Sequence, residues 1–167
     1  MFARIAALML AGFASAAVAQ ADIDLGAYAA TDHPAQDYVA AAETFNAGDR
    51  LKGGCLFYIG QYRYRVYIMA RPNLDPTGDP AVFSALSEQV GRPINQWLGG
   101  DLADWLAAMD CAIGWVETHD DPLTPKRRNA GAHDEVLAGL RELRADVAAM
   151  DPARLRADRR ASGLPNR

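Results

Sequence analysis

The chain is short of the residues that announce a reaction. Its 167 residues include two cysteines and three histidines. No C-x-x-C pair is present for thiol exchange, no G-x-S-x-G elbow for a serine nucleophile, and no phosphate-binding or dinucleotide fingerprint. Ser84, Ser87 and Ser162 stand in no pattern with a histidine. Beyond the first twenty residues no apolar run reaches the roughly 20 residues a membrane-spanning helix needs. No cysteine lies near the end of the N-terminal apolar segment, so a lipid anchor is not expected, and a membrane span is not expected either. A coherent basic surface is also missing. Residues 20–125 hold 6 Lys/Arg against 15 Asp/Glu, and residues 126–167 hold 10 against 6. Phosphate backbones bind to continuous positive surface, so nucleic acid is not expected as the main partner.

What is present begins with a compartment. Arg4 makes a short basic start, residues 5–13 are apolar, and Ala17-Val18-Ala19 forms a small-residue exit before Gln20. That is the pattern of a secretory signal peptide over residues 1–19, with cleavage near Ala19 and a periplasmic or secreted destination. Two cysteines in an oxidising space permit one disulfide, Cys55–Cys111. The alternative is a pair of buried thiols.

Helical punctuation follows. Gly48-Asp49, Gly78-Asp79 and Gly100-Asp101 each read as a helix end, with Gly in the left-handed conformation, followed by an Asp cap. Apolar spacing predicts helices over 34–46, 80–90, 93–98, 102–117 and 133–150. In the last of these Val136, Leu140, Leu143, Val147 and Met150 make a narrow 4-3-4-3 seam suited to one partner helix. The remainder after Asp151-Pro152 is polar and expected to be mobile. Residues 51–69 admit two readings. As a helix the segment is apolar on both sides and therefore central. As strands it forms a hairpin over 55–68, which its aromatic and β-branched content favours. The expectation is an all-α single domain of about five helices, with a helical core over 20–125 and a basic helix and tail over 126–167. The alternative is α+β.

Ala42-Glu43, Phe45 and Gly48-Asp49, followed by Phe57-Tyr58, Gly60-Gln61 and Arg63, resemble the helix–turn–helix unit of tetratricopeptide and Sel1-like repeats. The resemblance covers residues 35–70 and implies a helical hairpin. The Gly48 to Gly60 interval is longer than the Sel1 pattern, the Gly-Asp signals are unevenly spaced, and no array or function is implied.

The best functional constellation is basic and aromatic. Tyr62-Arg63-Tyr64-Arg65 frames two guanidiniums with tyrosines, and Arg92, Asn95 and Trp97 add a polar turn. Arg, Tyr and Trp dominate interface hot spots, so these seven residues are the candidate surface for a protein or peptide partner. One variant of that role is an inhibitor or immunity-type protein. The competing reading makes Arg63 and Arg65 internal partners of carboxylates, with the tyrosines as core. A second function class, a metal-assisted hydrolase of envelope material, would use His119 with Asp120 and Asp121, or His133 with Asp134 and Glu135. Neither group has a recognised ligand spacing, and no metal or other cofactor is expected. A third class is a dimeric scaffold, a homodimer joined through the 136–150 seam or the small-residue face of Ala107, Cys111 and Gly114.

Overall fold

The computed structural model describes residues 23–167, and the signal-peptide segment lies outside the described residues. Seven helices and no strand occupy the described chain: α1 (Pro34–Asn46), α2 (Arg50–Met69), α3 (Asp79–Gln89), α4 (Gly91–Leu98), α5 (Leu102–Thr118), α6 (Lys126–Ala148) and α7 (Pro152–Ala161). The fold is all-α, and the 55–68 hairpin is replaced by the middle of α2.

Helix α2 is the axis of the molecule. It touches α1, α3, α4, α5 and α6. Cys55, Leu56, Phe57, Tyr58, Ile59, Tyr62, Tyr64 and Val66 are all buried, so apolar residues occur around the whole barrel of the helix. Its aromatic content suits a strand, but the described chain supplies no second strand to pair its backbone. A helix closes its own hydrogen bonds, and the tertiary surroundings override propensity. Helix α1 folds back on α2 after Gly48, whose φ of +106° needs glycine. The approach is close at two points. A Cβ on Gly53 would fall 2.7 Å from the Phe45 side chain, and one on Gly60 would fall 2.9 Å from that of Asp37.

The Asp caps divide. Asp49 accepts from the Lys52 amide, and Asp101 accepts from the amides of Ala103 and Asp104. Asp79 does not cap: Gly78 holds that position, and the Asp79 carboxylate accepts instead from the hydroxyls of Tyr64 and Tyr67. Its interior partners outcompete its own helix end. Of the glycines in the three Gly-Asp pairs, only Gly48 is left-handed.

The C-terminal region differs from expectation in two ways. Helix α6 begins at Lys126 rather than 133, with a kink at Asn129. The tail beyond 151 forms α7 and docks. Buried Arg159 donates to the Gln96 and Pro165 carbonyls, placing its charge at the C-terminal end of α4, where the helix dipole favours a cation. Arg167 pairs with Asp104 at 2.8 Å and lies 3.4 Å from the centre of the Trp97 ring. Arg144 pairs with Asp110 and Arg141 with Glu117. The basic tail thus neutralises part of its own acidic body.

Cys55 and Cys111 form a disulfide joining α2 to α5 across 56 residues of sequence. No helix among the described residues is long and apolar enough to cross a membrane.

Candidate functional site

Arg63 and Arg65 lie two residues apart, about 200° around the helix, and therefore face opposite sides of α2. The two sides hold different chemistry.

The Arg63 side is closed. Its guanidinium is 1% exposed. Nε donates to Asp121 Oδ2 at 3.0 Å and Nη2 donates to Asp121 Oδ1 and the Thr31 carbonyl. Nη1 donates to Asp37 and to the Thr31 hydroxyl. All five donors of the fork are used. Asp37, itself buried, also accepts from Tyr28 and Thr31, each at 2.7 Å. Burial works against the Arg63 charge, but hydrogen bonding and attraction from Asp121 and Asp37 more than offset it and raise its pKa. Burial likewise works against ionising Asp121, yet Arg63 and the Leu123 amide hold its carboxyl below the ordinary value of 3.8. This cluster ties the 23–33 segment, α1, α2 and the 119–125 loop together. It is satisfied throughout and presents nothing to a partner.

The Arg65 side is open. An apolar groove of about 700 Å³ runs over α2 between α3 and α6. Its floor carries Tyr58, Tyr62, Ile68 and Met69, and its walls carry Phe83 from α3 and Val136, Leu140 and Leu143 from α6. Met69 and Leu143 are each 41% exposed, and α3 contributes no fully buried residue. Arg65 lies in this lining with its guanidinium 5.6 Å from the centre of the Phe83 ring.

The seven candidate surface residues therefore separate. Arg63, Tyr62 and Tyr64 are buried on different sides of α2, each against its own neighbours: Asp37 and Asp121 for Arg63, His133 for Tyr62 and Asp79 for Tyr64. Only the ring of Tyr62 reaches the groove lining. Its hydroxyl donates to His133 Nδ1 at 2.7 Å; burial, with Asp121 and Asp134, pushes its pKa up to about 12. Asn95 is occupied by the Tyr58 hydroxyl, and exposed Arg92 pairs with Glu88 one turn back. Trp97 sits under Arg167 with Phe45 at its edge. Of the set, Arg65 alone combines exposure with a place in the groove.

The histidines also part company. His133 Nε2 lies 2.6 Å from the Thr124 carbonyl, which can only accept. Nε2 therefore carries the proton, and Nδ1 accepts from Tyr62. Buried and doubly engaged, His133 is not placed to hold a metal. His119 stacks on Trp115 with ring centres 4.6 Å apart. Among the described residues no three His, Cys, Asp or Glu side chains converge as metal ligands. The proposed dimer seam is largely spent internally: Val136, Leu140 and Val147 are buried, while Leu143 and Met150 remain exposed. On α5, Gly114 has no neighbour placed to meet a Cβ within 4 Å, so no helix closes on it.

Sequence reasoning missed Asp37, Asp121 and Thr31 as partners of Arg63, and the α6 wall of the groove. The carboxylates come from 26 and 58 residues away, a distance at which no local pattern operates. The wall had a signal: Leu143 sits in the 4-3-4-3 seam near Gly139, a small residue in a helix that has no need of one.

No protein-family model, curated protein or solved structure matches the chain. Its class is defined by its own features: an all-α, disulfide-linked domain with one face of its central helix sealed by an ion cluster and the other open as an apolar groove.

Proposed function

We propose that the chain is an exported, non-enzymatic binding protein that holds a segment of a partner protein in the α2–α3–α6 groove. The observation that carries this reading is the open apolar lining beside Arg65. A domain that buries eight apolar residues of its central helix still leaves Met69, Leu143 and Phe83 short of burial at one place. The groove falls within the range of about 300–1,000 Å³ typical of ligand sites. Export to a periplasmic or extracellular space is supported by the N-terminal sequence pattern and agrees with the disulfide. A blocking role against a secreted enzyme is one form such binding takes.

The test is a capture experiment on two immobilised chains, wild type and Gly139→Trp. Gly139 lines the groove, and a Cβ there meets nothing within 4 Å, so the indole fills the groove without disturbing the core. A partner from the extracytoplasmic fraction retained by the wild type and lost from the filled chain is the expected result. Equal capture by both chains, or none by either, refutes the reading.

A further inference from the structure

Resting on that reading, the geometry points to the form of the occupant. We infer that the groove receives a single amphipathic helix of two to three turns, bearing a carboxylate that meets Arg65.

Length comes first. The floor runs from Tyr58 to Met69 along α2, and the α6 wall from Glu135 to Leu143. At 1.5 Å per residue these are about 16 and 12 Å, the length of roughly 8–11 helical residues. Helices α3 and α6 both stand on α2 but do not pack closely on each other, so they flank a slot between two walls of helix. A further helix laid there repeats the packing already used throughout the fold.

Hydrogen bonding decides against an extended segment. A strand brings unpaired backbone N–H and C=O groups that need partners when covered. The groove has few to give. The Tyr58 hydroxyl is held by Asn95 and Trp105, that of Tyr62 by His133, and that of Ser84 by the Pro80 carbonyl. Gln61, Arg65, Glu135 and the acceptor side of the Ser84 hydroxyl remain, too few to pair both edges of an extended segment. A helix satisfies its own backbone and asks the groove only for apolar contact, which is what the lining offers.

Charge sets the last feature. Among the described residues Arg65 has no carboxylate partner and Glu135 no cation. Arg65 is the single cation in the lining. Its complement is an acidic side chain beside the occupant's apolar stripe. A fatty acid would also bring a carboxylate, and palmitate binding separates it from a helix.

The test selects two displayed peptide libraries of about 15 residues, one helix-forming and one unconstrained, against the mature exported chain, with Gly139→Trp as counter-target. The expected survivors carry apolar residues at i, i+3 or i+4, and i+7 with an adjacent Asp or Glu. They bind Gly139→Trp and Arg65→Glu at least roughly tenfold more weakly, and replacing their acid by Lys restores binding to Arg65→Glu. Survivors without helical periodicity, or indifferent to the sign at position 65, overturn the helix inference while leaving the groove reading intact. Survivors that do not distinguish wild type from Gly139→Trp, or an absence of survivors, overturn both. Stoichiometric binding of palmitate, abolished by Gly139→Trp, replaces the helix with a lipid and also overturns the inference.

Discussion

Arg63 and Arg65 share a residue type, a helix and a four-residue motif, yet one is the most enclosed cation of the fold and the other faces an open groove. The difference is an angle. Two helical steps carry a side chain about 200° around the axis, so consecutive odd positions of α2 answer to different neighbours. On one side two carboxylates and two hydroxyl-bearing residues from distant segments converge on Arg63. On the other, two helices stand apart. A motif read along the chain joins what the helix separates.

The comparison can be broken most severely at Arg63. Arg63→Ala leaves Asp37 and Asp121 buried without their counter-charge and should cost about 3–5 kcal/mol, while Arg65→Ala should stay within about 0.5 kcal/mol. Urea denaturation of the two variants measures the contrast directly. Equal losses would mean the ion cluster is not what holds that side closed.

The disulfide ranks next. Removing it as Cys55→Ala with Cys111→Ala should cost about 4 kcal/mol, the chain-entropy value for a loop of this length, read as a lowered denaturation midpoint. Labelling denatured, unreduced protein with a thiol reagent should find no free cysteine.

pH sharpens the same contrast from the interior side. Burial pushes the phenols of Tyr38 and Tyr58 up to about 12, as it does that of Tyr62. Above pH 10 the unfolded chain releases these protons and the folded chain keeps them. Each phenol should then remove about 1.4 kcal/mol of stability per pH unit until about pH 12. A 295 nm titration should show tyrosine ionisation coinciding with loss of helix. At the acid end Asp121 works in the opposite sense. Its folded pKa lies below 3.8, so its contribution is complete above that value and is lost as pH falls further. Urea stability should hold down to about pH 4 and decline progressively as pH falls below it.

The smallest effect lies in the groove wall. Gly139 is a mid-helix glycine with room for a methyl group. Gly139→Ala should raise stability by about 0.5–1 kcal/mol, the helix-propensity gain alone, seen as a small rise in Tm. A loss instead would mean that the α6 wall is packed more tightly than the open groove implies.

Much of the architecture is legible in local pattern. Helices α1 and α5 lie within a residue of their sequence-predicted limits, because caps and apolar spacing act over a few residues. Helix α6 starts well before its sequence-predicted limit, since a kinked first turn hides the periodicity, and α7 has no apolar stripe to betray it. The order of α7 depends on Arg159 reaching the end of α4, a contact across 63 residues. For the site, the sequence holds Arg65 but groups it with Arg63, Tyr64 and Arg92, whose different surroundings are invisible until the helices pack.

Local chemistry thus determined the helices α1, α3, α4, α5 and most of α6, and that two cysteines were available to bridge, while residues 51–69 stayed open between a central helix and a hairpin. Composition alone argued against nucleic acid as the main partner. Only the tertiary structure decided which arginine is sealed and which faces the groove, and that His133 is a buried hydrogen-bonding residue. The physical reason is range. Caps, turns and amphipathic stripes act between neighbours in sequence. Burial, ion pairing and the gap between α3 and α6 depend on which distant segments arrive at each face of one central helix.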